Sequence, residues 1–242
     1  MKKIIVIFLF LITIKGHSQI NNNMFSKDPI INLENFQKQK LYFGFYLGLN
    51  SFDFKIDYKE NKIPENDIFV EKTTGFNVGL VADLKLQEYI SLRFEPGLYY
   101  TTRYLTYPVN YYNTLISIDS RTRQVNSTYL HFPLLVKFLS VRTGNVRPYL
   151  LGGVSATLNL SSNSKSPDDN SNSVFRVKAW TQNYEMGFGI DFFSEYFIFS
   201  PSIRGVFGIN DELIRDKDPN SPWTSNIQSL KNRAVFINFT FH

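Results

Sequence analysis

From Leu41 to the last residue the chain alternates apolar with polar or small side chains at a period of two. Successive side chains on a strand point to opposite faces, so this pattern describes strands with one apolar and one mixed face. The clearest stretch puts Leu92, Phe94, Pro96, Leu98, Tyr100, Thr102 and Tyr104 on one face. Arg93, Glu95, Gly97, Tyr99, Thr101 and Arg103 fall on the other. It is longer than a typical soluble strand. The pattern recurs over 41–50, 76–86, 129–138, 149–158, 184–192, 197–208 and 235–242, which with 92–104 gives eight segments. Each reaches or approaches the roughly 9–11 residues that a tilted strand needs to cross a bilayer.

The connections alternate as well. Gln87-Glu88, Arg142 to Asn145 and Ser194-Glu195 are tight turns. The stretches 59–74, 106–126, 161–179 and 210–232 are long and polar. Short turns at one end and long loops at the other predict an all-β, eight-stranded, antiparallel up-and-down transmembrane β-barrel, with both chain ends on the short-turn, periplasmic side. Mean hydropathy is only −0.19, which suits a wall that is apolar on alternate residues and not a bundle of apolar helices. A soluble eight-stranded barrel would have to carry the apolar face inward together with the charges.

The charges choose the inner face. Asp83, Lys85, Arg93, Glu95, Arg103, Lys137, Glu185, Asp191 and Arg204 all occupy the less apolar parity. Facing lipid they would cost a few kcal/mol each near the midplane. An eight-stranded barrel is only wide enough for its own side chains, so they are expected to pair in a closed polar lumen. Pro96 and Pro201 inside strands predict bulges, because proline cannot donate to a ladder.

Lys2 and Lys3, the apolar run Ile4–Ile14, and small residues Gly16 and Ser18 before Gln19 form a secretory signal pattern, with the apolar run too short to span a bilayer. The expected organisation is a cleaved signal peptide at 1–18, a periplasmic lead-in at 19–40 and the barrel at 41–242. The absence of cysteine excludes thiol nucleophiles, disulfides and a lipoprotein anchor. A net charge of +5 without a basic block argues against nucleic acid as a partner. No cofactor or metal motif is present, and the one histidine within a segment, His131, falls on the inner face, where a hydrogen-bonded core role is the expectation over catalysis. Tyr111, Tyr112 and Trp223 are candidate loop contacts for a partner, since Tyr and Trp dominate binding hot spots. Tyr104 and Tyr107 are expected in an aromatic girdle.

Three ordered blocks carry a family resemblance: 127–138 (STYLHFPLLVKF), 145–154 (NVRPYLLGGV), and 187–211 with Gly187-Phe188-Gly189-Ile190-Asp191, Ser200-Pro201 and Phe207-Gly208-Ile209-Asn210-Asp211. Over residues 40–242 the chain resembles the PorT family of Bacteroidota outer-membrane barrels. The resemblance implies an outer-membrane component of the type IX secretion system, with lipid, other secretion proteins and secreted cargo as partners. It brings no catalytic residues. Family members are sometimes described as protein-translocating porins, but eight strands leave no lumen for cargo, so the expected action is through contacts. The alternative expectation is a small porin or receptor barrel unrelated to secretion.

Overall fold

In a computed structural model the described residues are 31–36, 39–59, 67–108, 110–111, 114–115, 121–164, 166, 175–219, 221 and 223–242. They form strands β1 (Leu41–Tyr58), β2 (Phe69–Lys72), β3 (Thr74–Gln87), β4 (Ile90–Phe94), β5 (Gly97–Thr106), β6 (Asn110–Tyr111), β7 (Thr114–Leu115), β8 (Thr122–Leu139), β9 (Val146–Asn159), β10 (Trp180–Phe193), β11 (Ile198–Gly208) and β12 (Ile227–Phe241). Strands β2 and β3 make one staved unit and β4 and β5 another. The ring then has eight antiparallel staves, closed by pairing of β1 with both β12 and β3. Closure removes the unpaired edges that an open sheet would leave.

The expected bulges at proline are absent. Ala82 pairs with Phe94 and Val78 with Leu98, and Phe94 with Leu134 and Gly97 with His131, so the register is the same on both sides of Pro96. Pro201 likewise pairs with Phe239 in an unshifted ladder. Each proline interrupts hydrogen bonding without inserting a residue. The shift in this part of the wall lies instead at Thr73: β2 meets β5 one residue out of step with β3, and Thr73 Oγ1 donates to the Thr102 carbonyl at 2.6 Å.

The staves run further than the sequence pattern suggested. β1 continues to Tyr58, and β2, the start of β8 at Thr122 and the start of β12 at Ile227 fall within the expected loops. The reason is an inversion of the pattern. Below, β1 shows Phe43, Phe45, Leu47 and Leu49 outward; above, its outward residues are Ser51, Lys55 and Asp57, while Phe52 and Phe54 turn inward and are buried. The neighbouring β12 changes at the same height, from Ile237 and Val235 outward to Arg233 and Lys231. In β8 the change falls between Leu130 and Thr128. The wall therefore has an apolar belt outside in its lower part and a polar exterior over an apolar core above it. Only the lower half obeys the rule for a lipid-facing wall; the upper half obeys the rule for water.

Tight packing at the lumen depends on a few missing side chains. The Tyr46 ring lies across Gly79 and Gly97, and a Cβ at Gly97 would stand 1.9 Å from the Tyr46 hydroxyl. At Gly144 a φ of 60° turns the chain between β8 and β9.

Candidate functional site

The inward parity of the lower staves brings most of the expected charges together. Arg93 donates from Nε to Asp83 Oδ1 at 2.7 Å, from Nη2 to Asp83 Oδ2, and from Nη1 to Glu95 Oε1 at 3.0 Å. Glu95 in turn accepts from Arg204 Nη1 at 2.7 Å, across the lumen from the opposite wall. Arg204 Nε stands 3.1 Å from Glu185, whose other oxygen lies 2.7 Å from His131 Nε2. The result is a chain of alternating charge from β3 to β8. It ends on a histidine whose Nδ1 is 2.8 Å from Thr157 Oγ1.

A second cluster sits at the short-turn end. Asp191 is held by Lys137 at 2.9 Å, by Arg147 at 2.9 Å and by the Ser200 hydroxyl at 2.6 Å. All of these side chains are buried except Arg147, which is partly so. Low dielectric makes such pairs strong and makes any unpaired member costly. Lys85 is half-buried and lines a cavity of about 20 Å³ with Asp83, Lys137, Arg147, Asp191 and His242. That volume is room for about one water. The lead-in closes this end from below. Asn32 bonds Asn145 and the Phe193 carbonyl, Arg142 donates to the Asn32 carbonyl at 2.6 Å, and Phe36 stacks on Tyr42.

Above the ion chain an aromatic layer of Tyr46, Phe52, Tyr99, Tyr129 and Phe236 fills the bore. Arg103 lies higher still. It has no carboxylate within ion-pair distance among the described residues, but donates to Asn232 and Ser127 and lies 3.8 Å over the Phe54 ring. The topmost layer is an apolar cap that joins loop residues Phe175, Val177, Leu213 and Trp223 to Phe54, Leu105, Tyr107 and Leu230.

Three expectations need correction or relocation here. Trp223 is not an exposed contact: it is 7% exposed, packs edge-on to Tyr107 at 4.9 Å and lies under Arg123 at 4.2 Å. Tyr107 is not in a girdle, for its ring is buried in the cap and its hydroxyl donates to the Trp223 carbonyl. Tyr104 lies between Glu71 and Gln124, above the apolar belt. Tyr107 continues the inward parity of Arg103 and Leu105, which its place near a strand end does not show. Tyr111 contributes backbone to the β6–β7 hairpin, and Tyr112 lies outside the described residues. Belt-edge aromatics are instead the pairs Tyr184–Phe207 and Phe76–Tyr100 above, and Phe45–Phe241 and Phe199–Phe239 below.

Sequence reasoning missed Arg147 and Glu212. Arg147 shares parity with Tyr149, and starting that segment two residues earlier would have found it. Glu212 sits in a loop, where no period applies. It is buried in the cap, and burial pushes its carboxyl up to about 7, against the opposing pull of Arg103.

A family model for the outer membrane protein beta-barrel domain matches residues 19–213. The chain belongs to this family of outer-membrane β-barrels. As a family member it is an outer-membrane protein whose wall contacts lipid. Solved structures similar to it include the outer membrane protein OprG from Pseudomonas aeruginosa, at 15% identity over 84% of this chain and 94% of that chain, with a TM-score of 0.40. Another is the N-terminal β-barrel domain of Pseudomonas aeruginosa OprF, at 13% identity over 81% and 97%, TM-score 0.36. A third is Ail, the attachment invasion locus protein of Yersinia pestis, in complex with the heparin analogue sucrose octasulfate, at 12% identity over 84% and 99%, TM-score 0.38. Among curated proteins none matches.

Proposed function

We propose that this barrel is a non-enzymatic outer-membrane component of the type IX secretion system, needed for export or maturation of sorting-domain cargo and acting through protein contacts. The observation that carries the second half of this reading is the filled bore. The Glu95–Arg204 bridge joins opposite walls, the aromatic layer lies over it and the cap over that, so neither a chain nor a solute has a path. This favours an accessory role over the alternative of a small porin, which predicts conductance; the purified barrel is expected to be silent in a planar bilayer. The secretion assignment rests on the ordered PorT-like blocks. A clean deletion is expected to abolish release of sorting-domain cargo, and normal release in that strain would refute the role.

The reading includes export by a signal peptide cleaved before Gln19, in keeping with a family match that begins at residue 19. It also includes an orientation with the short turns and both termini periplasmic and the long loops outside. Lys217 lies in a long loop and Glu195 in a short turn. Because the chain has no cysteine, single variants Lys217→Cys and Glu195→Cys can be labelled in whole cells with an impermeant maleimide. Labelling of the first alone is expected; labelling of the second alone would invert the barrel.

A further inference from the structure

The polar exterior above the belt is not uniform around the ring. On β5 and β8 it carries Thr102, Tyr104, Gln124 and Asn126, and on β10 Gln182, all uncharged. Charge concentrates where β12, β1 and β2 meet. There Lys55 stands directly opposite Lys231 in the ladder, one pair beyond Arg233 opposite Asp53 turned by the same pleat. Directly opposed like charges on one face are destabilising by themselves. Lys72 reaches in from β2, where β1 and β2 have no ladder between them, and sits 3.4 Å from Asp53, which Arg233 also holds at 2.8 Å. Asp57 lies 3.6 Å from Lys55 and accepts from Ser229 at 2.8 Å. Lys55 thus pairs with Asp57, Lys72 and Arg233 share Asp53 in a cleft that Asp67 also lines, and Lys231 has no ion-pair partner among the described residues.

Immediately below is a surface groove of about 300 Å³, lined by Ser51, Asp53, Lys72 and Arg233 on its polar side and by Phe207 and Val235 on its apolar side. The groove straddles the level at which the wall changes from lipid-facing to water-facing. Its chemistry is that of an amphiphile: Arg233 and the lysines above it, with Phe207 beside Arg233, stand at the height of a headgroup, and the branched side chains of Val235 and Ile237 lie below at the height of an acyl chain.

We propose that this sector binds the phosphate-bearing headgroup of an outer-leaflet lipid, with Lys55, Lys231 and Arg233 on the phosphate and Val235 and Ile237 along an acyl chain. The anion relieves the Lys55–Lys231 opposition. The leaflet assignment rests on the orientation proposed above, which the cysteine labelling tests separately; the binding itself does not.

The test is retention of lipid by the purified barrel in mild detergent, read by native mass spectrometry. The probes are phosphorylated lipid A and the same lipid stripped of phosphate. Wild type is expected to retain the phosphorylated form in preference, and Lys55→Gln/Lys231→Gln to lose roughly thirtyfold in that preference, from the typical worth of a basic residue at an anionic lipid surface. An unshifted mobility difference between boiled and unboiled gel samples shows that the variant is folded. Equal retention of both lipids by wild type, or unchanged preference in the folded variant, would overturn the site. Displacement of the lipid by equimolar inorganic phosphate at constant ionic strength would overturn the lipid assignment, because the acyl contacts would then contribute nothing.

Discussion

Arg204→Met isolates what the buried ion chain contributes. Arg204 is 1% exposed and joins two carboxylates, Glu95 at 2.7 Å and Glu185 at 3.1 Å, each itself no more than 3% exposed. Methionine keeps much of the volume and removes the charge. Glu95 retains Arg93 and Glu185 retains His131, so neither carboxylate is stranded completely. Breaking one partner out of a buried pair costs about 3–5 kcal/mol, and the remaining partners place this case near 3 kcal/mol. Adding Glu185→Gln removes the surplus negative charge and is expected to restore about 1–2 kcal/mol, a coupling typical of contacting residues. The assay is urea unfolding of the barrel in detergent micelles, followed by tryptophan fluorescence. A loss below about 1 kcal/mol for Arg204→Met would refute the claim that these charges are held dry and mutually dependent. So would a double variant no more stable than the single one.

Phe188→Arg, at mid-belt on the outer face of β10, is expected to cost about 2–4 kcal/mol in the same assay, whereas Gln124→Arg above the belt stays within about 0.5 kcal/mol. Of two adjacent glycines, Gly153→Ala puts a Cβ 2.2 Å from the Leu134 carbonyl and is expected to destabilise by about 1–3 kcal/mol, while Gly152→Ala meets nothing and unfolds like wild type. Glu212 has a folded-state pKa of about 7, raised from 4.5, so the unfolded chain releases this proton first. Stability from this group is present at low pH and declines between about pH 4.5 and 7, by on the order of 3 kcal/mol. Glu212→Gln should flatten that decline and leave the cap more stable at pH 8; an unchanged pH profile would remove the buried carboxylate as its source.

The lower staves were legible because lipid outside and ions inside impose one rule on every second residue. Arg93, Glu95 and Arg103 could be assigned inward from parity alone. Which partner each would take could not, since Glu95 meets Arg204 only through closure of a ring that a linear pattern does not encode. Parts of the upper staves, β2 and the first residues of β8 and β12, were read as loop, and the upper half of β1 was left outside its segment. Residues such as Lys55, Lys231 and Arg233 break an apolar-outward pattern, and the inward set Phe52, Phe54, Leu105 and Val125 shows its period only once the inversion is recognised. Trp223 and Glu212 lie in irregular backbone, where tertiary packing alone decides burial.

The inversion also governs how the barrel sits in its bilayer. In the β12–β1 sector the change from Val235 to Arg233 is a step from aliphatic to cationic across one turn of the pleat, about 7 Å along the strand. Sinking would draw Arg233 and Asp53 into hydrocarbon, and rising would lift Val235 and Ile237 into water, so this side has one permitted depth. The opposite side, with Thr102 and Asn126 above Tyr100 and Leu130, tolerates vertical play. Where the surrounding membrane is thinner or thicker than the belt, the mismatch is therefore taken up by tilting about the pinned sector and by lipid deformation on the uncharged one.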